Sequence, residues 1–242
     1  MAFFKKRKSG SQETADVPSL TLAAADGTPW LTFPGAVVRS YRHMLARLTR
    51  TEPWPQRLAL VSTLREEGVT YSTLALATTV TTDAAASVCV VELNWHWPGL
   101  QPILSGVESP GLAGVLLGQA TLDEALVATD RPNLLLLPAG VMPPEKRTFF
   151  ARSEELKGVL DELCGRVDHL LLDIPAILAT SDAIPLASLS KGSCVVIKQG
   201  ITSIENSKRA LDDIAHLNVL GVILNQITVK TPQLLLRYIP QE

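Results

Sequence analysis

Cysteine is scarce in this 242-residue chain, with only Cys89, Cys164 and Cys194. An odd count without a Cys-x-x-Cys pair excludes a disulfide framework or a zinc ribbon and suits a reducing compartment. Aromatic residues make up only 5%, which fits aliphatic α/β packing better than a β-sandwich. Neither sign of charge dominates: 22 Lys and Arg stand against 24 Asp and Glu, for a net charge of −2. A globally basic nucleic-acid binder is therefore excluded. His43, His96, His169 and His216 lack metal-ligand spacing. Long apolar runs are missing too. The stretch from His169 to Ala179 is broken by Asp173 and Pro175, far short of the roughly 20 residues that a membrane span needs.

What is present is a well-supplied core, since 46% of residues are hydrophobic, which excludes a fully disordered chain. The amino end carries Phe3-Phe4-Lys5-Lys6-Arg7-Lys8. Polar residues then follow where a secretory signal would need an apolar stretch. Residues 1–35 are expected to form a flexible basic arm. Val37, Tyr41, Met44, Leu45 and Leu48 recur at helical spacing, predicting an amphipathic helix over residues 36–50. Short apolar runs then alternate with helical segments: 58–62, 87–93, 133–137, 169–172, 193–198 and 219–224 read as strands. Residues 70–82, 153–163 and 203–216 read as helices, and 111–117 and 121–128 as short ones. Thr121 and Glu124 fit a capping box. Continuous apolar strands between helices predict a three-layer α/β domain, with a mainly parallel sheet flanked by helices. Residues 229–242 form a tail.

In such a sheet ligands bind at the carboxyl ends of the strands. The first core strand runs into Ser62-Thr63-Leu64-Arg65-Glu66-Glu67-Gly68-Val69-Thr70-Tyr71 and then a helix. Later strands end in Glu92-Leu93-Asn94-Trp95-His96-Trp97-Pro98, Leu137-Pro138-Ala139-Gly140, Leu172-Asp173-Ile174-Pro175 and Ile223-Leu224-Asn225.

These motifs, in this order, resemble the CpsD/CapB-type bacterial tyrosine kinases of capsule and exopolysaccharide assembly, within the MinD/ParA-like deviant P-loop ATPases. Their loop reads Ser-x-x-x-Gly-Glu-Gly-Lys-Ser/Thr-Thr, and Ala75-Leu76-Ala77 fixes its register on this chain. Glu67, Gly68 and Thr70 match. The resemblance extends over roughly residues 36–228 and implies a P-loop NTPase-like fold. It implies that Glu67, Gly68, Thr70 and Asn225 face a nucleotide, ATP or ADP, and that Thr70 and Asp173 face Mg²⁺. Glu92, Asn94 and Asp173 fall where the family's catalytic carboxylates stand.

The departures have physical consequences. Val69 removes the ammonium that meets the phosphates, and Glu66 puts a carboxylate where backbone should approach them. Two like charges at ~4 Å repel by about 4 kcal/mol at an effective dielectric of 20. Asn94 keeps an oxygen but drops a charge, and His96 replaces an arginine. The expectation is a catalytically degenerate member that binds nucleotide and Mg²⁺ weakly or not at all. It would regulate polysaccharide assembly from the cytoplasmic face of the inner membrane. The partners implied are a membrane chain-length (co-polymerase) protein and further copies of the chain, with no nucleic acid. The alternatives are a divergent Mg-ATP-dependent autokinase and a MinD/ParA-type positioning ATPase. Asp182 reads equally as a helix-start residue or a catalytic one.

Overall fold

The computed structural model describes residues 17–48, 54–84 and 86–226. Along the chain these form β1 (Leu20–Ala23), β2 (Pro29–Phe33), α1 (Gly35–Leu48), β3 (Arg57–Ser62), α2 (Val69–Asp83), β4 (Val88–Glu92), α3 (Gly111–Leu116), α4 (Leu122–Ala125), β5 (Val127–Ala128), β6 (Leu134–Leu137), α5 (Pro144–Phe150), α6 (Glu154–Cys164), β7 (His169–Asp173), α7 (Ala183–Ala187), β8 (Gly192–Lys198), α8 (Ile204–Asp213) and β9 (Val219–Asn225).

Seven strands form one sheet in the order β5-β6-β4-β7-β3-β8-β9, parallel except for β5. Alternation along each strand divides the core in two. Ala59 and Val61 of β3 join a cluster with Leu112, Leu156, Leu160, Leu186 and Ile214 from the α3–α8 side. Leu58 and Leu60 join the opposite cluster with Leu74 and Leu76 of α2. This is the three-layer arrangement expected from strands that are apolar on both faces. Cys89 and Cys194 are buried free thiols within these strands.

Helix α2 has little amphipathic character because it is covered on all sides, with residues 72–81 buried throughout. Its threonines satisfy themselves locally: Thr73, Thr79, Thr81 and Thr82 each donate to a carbonyl four residues back. The outer cover is α1 together with the antiparallel β1–β2 hairpin. Here the expected flexible arm is corrected. Leu22 and Phe33 are fully packed, and the hairpin is tied to the far edge of the sheet. Arg131 donates to the Thr21 carbonyl, and Asp130 accepts from the Ala23 N–H. Apolar burial on one face orders this stretch although its strands are too short to show periodicity. Residues 1–16 of the arm, the end of the predicted helix at residues 49–50, and the tail lie outside the described residues.

The Thr121–Glu124 capping box is present, but its helix stops at Ala125, and residues 127–128 pair with β6 instead. Helix α5, opened by Pro144, was not evident in the hydrophobic pattern. Among the described residues, no helix is long and apolar enough to cross a membrane.

Candidate functional site

A cavity of about 200 Å³ opens at the carboxyl ends of β3 and β7, lined by Ser62, residues 65–70, Asn94, Trp97 and Asp173. A larger depression of about 420 Å³ lies at the opposite, amino ends of the strands, around Trp54, Asp168 and His169. The smaller one is at the edge where parallel sheets bind ligands, and it meets the amino terminus of a 15-residue helix.

The loop between β3 and α2 is held from within by its own carboxylate. Glu67 is 1% exposed. Its Oε2 accepts from the N–H groups of Thr63 (2.8 Å) and Leu64 (2.9 Å), and its Oε1 accepts from the Thr202 hydroxyl. At the end of the loop Asn225 donates from Nδ2 to the Glu67 carbonyl, 2.8 Å away, while its Oδ1 accepts from the Gln226 N–H. Gly68 is needed at this point. Its φ is +89°, and a Cβ there would lie 2.2 Å from Asn225 Nδ2. Glu66 also has a left-handed φ, +64°, without being glycine. Glu67 and Asn225 are thus brought to the site, but with their polar atoms engaged by the loop and by Thr202 and Gln226.

Glu92 and Asp173 end the neighbouring strands β4 and β7 and are register partners. Glu92 is fully buried, and its carboxylate accepts from the N–H groups of Gly99, Leu100 (2.8 Å) and Ala139 (3.0 Å). Asp173 is 1% exposed, and neither of its carboxyl oxygens has a hydrogen-bond partner among the described residues. Burial, then the charge of Glu92, push its pKa up to about 8, while the Thr70 hydroxyl pulls the other way. Burial raises Glu92 as well, but its three backbone donors favour the ionised form. Of the two, Glu92 has the donors that hold a charge and Asp173 has none, so the environment of Asp173 favours its neutral form.

Asn94 closes the next loop. Its Oδ1 accepts from the Trp97 N–H (3.1 Å), and its Nδ2 donates to the Trp97 carbonyl (2.9 Å). An aspartate has no donor for the second bond. Trp95 is a buried anchor, donating from Nε1 to the Ala139 carbonyl. His96 Nε2 lies 3.0 Å from Asp182 Oδ2, and Arg152 donates to the other oxygen of Asp182. Burial raises Asp182, but these two partners outweigh it and hold the acid below its usual range. Asp182 occupies the N-cap position of α7, the helix-start place read from the sequence, although its side chain makes no capping hydrogen bond.

The structure brings Glu67, Gly68, Thr70, Asn94 and Asp173 to one cavity, with Asn225 clamping its wall and Glu92 directly behind it. Sequence reasoning missed the contributions of Arg65 and Thr202. The orphaned oxygens of Asp173, beside the Thr70 hydroxyl, fit a hydrated divalent cation. The N–H groups at the start of α2 fit phosphate oxygens. Val69 and Glu66 oppose that fit.

No family model matches the chain. It is 29% identical over 140 residues to tyrosine-protein kinase YwqD of Bacillus subtilis, covering 57% of this chain and 59% of YwqD. It is 25% identical over 149 residues to the putative tyrosine-protein kinase CapB of Staphylococcus aureus, covering 60% and 64%. Over 177 residues it is 24% identical to the succinoglycan biosynthesis transport protein ExoP of Rhizobium meliloti, covering 70% of this chain but 22% of ExoP. The match thus spans less than two thirds of each of these relatives. Among solved structures, the chimerical protein CapA2B2 superposes with a TM-score of 0.74 at 18% identity, covering 79% of this chain and 85% of that one. The kinase domain of Escherichia coli tyrosine kinase ETK gives 0.70 at 17%, covering 82% and 80%. MinD of Pyrococcus horikoshii, complexed with Mg-ADP, gives 0.57 at 24%, covering 70% and 69%. The fold is that of the P-loop NTPases.

Proposed function

We propose that the chain, which is similar to the CpsD/CapB-type bacterial tyrosine kinases, serves exopolysaccharide or capsule assembly as a regulator without tyrosine-kinase chemistry. One observation carries this reading. Of the polar groups that align with the family's working site, Glu67, Glu92 and Asn94 are bound into the fold. Among the described residues the two carboxyl oxygens of Asp173 are left without a hydrogen-bond partner.

A Mg-nucleotide bound here would supply the phosphoryl group and the cation that neutralises it. Asp173 and Thr70 would hold the cation, and the first N–H groups of α2 would hold phosphate. To take a metal, Asp173 must first lose its proton, against burial and the charge of Glu92. Val69 adds no charge opposite the phosphates. Glu92 is engaged by three N–H donors and is poorly placed to take a proton from an attacking hydroxyl.

Acceptors are equally few. Tyr41 is buried, which pushes its phenol up to about 12. Tyr71 packs edge-on against Phe33, with ring centroids 5.2 Å apart. The role is then one of binding: a membrane chain-length protein as partner, met at the cytoplasmic face of the inner membrane.

The test is incubation of the purified full chain with Mg-ATP, followed by phosphotyrosine detection and mass spectrometry. No phosphotyrosine is expected. A phosphorylated Tyr238 that disappears in Asp173→Ala would overturn the reading in favour of a divergent autokinase.

A further inference from the structure

The cavity beside the β3–α2 loop contains one basic side chain among its lining residues, that of Arg65. We propose that Arg65 is the phosphate-gripping cation of this loop, parked on the Trp97 ring over the cavity and taking the role that an ammonium at position 69 would have. The ligand class is a nucleoside di- or triphosphate with Mg²⁺, and the inference rests on reading this cavity as a nucleotide site.

Three observations carry it. Arg65 Cζ stands 4.1 Å from the centroid of the Trp97 ring. It is exposed, and among the described residues no ion-pair partner neutralises it. A guanidinium stacks on an aromatic face and can turn from there to offer two parallel donors to a phosphate; an ammonium lacks that fork. Second, the parking place is fixed. Asn94 grips Trp97 by both its N–H and its carbonyl, so the ring is presented at the cavity rim by an amide that does what no carboxylate there could. Third, the cavity has its own marks of a ligand. The amino terminus of α2 opens onto it, and the buried Asp173 lines it with two unpartnered oxygens. A cation on Asp173 and a phosphate on the α2 amides leave anionic oxygens facing the rim where Arg65 stands.

The experiment is calorimetric titration of the full chain with Mg-ADP, Mg-ATP and Mg-pyrophosphate, in parallel with tryptophan emission. Arg65→Ala and Arg65→Gln alter an exposed side chain and should each weaken nucleotide binding by about tenfold or more. Arg65→Lys should fall between these and the native chain. Departure of the guanidinium from the ring should change the emission on binding. Trp97→Phe should abolish that change while retaining most of the affinity. If Arg65→Ala binds as the native chain does, the assignment is overturned while the nucleotide reading of the cavity stands. If pyrophosphate binds and both nucleotides do not, the nucleoside part is overturned and the cation assignment is retained. If none of the three binds, both readings fall.

Discussion

Glu92 and Asp173 stand side by side at the ends of β4 and β7, yet three backbone donors reach Glu92 and none reaches Asp173. The asymmetry decides where the charge lives. Glu92 acts as a fixed anion that joins the residue 99–100 turn to the Ala139 strand end. Asp173 is left as the neutral, unsatisfied member, ready for a cation at the cost of ionising next to a like charge.

The pH dependence of stability follows with a definite sign. Burial and the charge of Glu92 push the Asp173 carboxyl from its ordinary 3.8 up to about 8, so the folded state holds its proton more tightly. Its contribution is fully present below about pH 4 and is lost as pH rises towards about 8. Asp173→Asn keeps the shape of the neutral acid and removes the titration. Thermal melts from pH 4 to 9 should show the variant gaining on the native chain by several degrees, levelling off above about pH 8. Each ~1 kcal/mol is worth about 2–4 °C at this size. Parallel melting curves at every pH would show that Asp173 carries no displaced proton.

Glu92→Ala removes the acceptor of three buried N–H groups at once. Each such group left unsatisfied costs about 1–3 kcal/mol, so destabilisation of about 3 kcal/mol or more is expected in chemical denaturation. Amide hydrogen exchange should locate the damage at Gly99, Leu100 and Ala139. In the same variant the acid of Asp173 should fall, because the neighbouring charge has gone. A loss below about 1 kcal/mol would mean that these loops are held by packing instead.

The third prediction concerns the loop as a phosphate cradle. Glu66→Gly with Val69→Lys removes an anion and adds an ammonium, whose stem can follow the partly buried path of Val69. Nucleotide affinity should improve about tenfold, equal to about 1.4 kcal/mol. Phosphotyrosine should still be absent, because Glu92 and Asn94 keep their bonds to the backbone. If the folded double variant gains no affinity, residues 62–70 do not cradle phosphate.

Much of the fold was legible because its strands are apolar on both faces, so β3, β4, β6, β7, β8 and β9 stand out as uninterrupted runs. Gly68 and Asp173 were legible by their places at strand and loop ends. The hairpin was not, since its strands of four and five residues are half-exposed and carry no clear alternation. The engagement of the site residues was hidden for another reason. Glu67 meets the Thr202 hydroxyl across 135 positions and Glu92 meets the Ala139 N–H across 47, and no local pattern records which distant donors tertiary packing brings to a carboxylate. Arg65 escaped notice because its stacking partner sits on a different loop.

The hairpin has a consequence for the order of events on the ribosome. Residues 20–33 leave the exit tunnel ahead of their anchors at Asp130 and Arg131, which are made about a hundred residues later. At a synthesis rate of about 5–20 residues per second, the hairpin waits for several seconds without these anchors. The hairpin is made well before the anchors that lock it, and until then its cover of the outer face of α2 is incomplete.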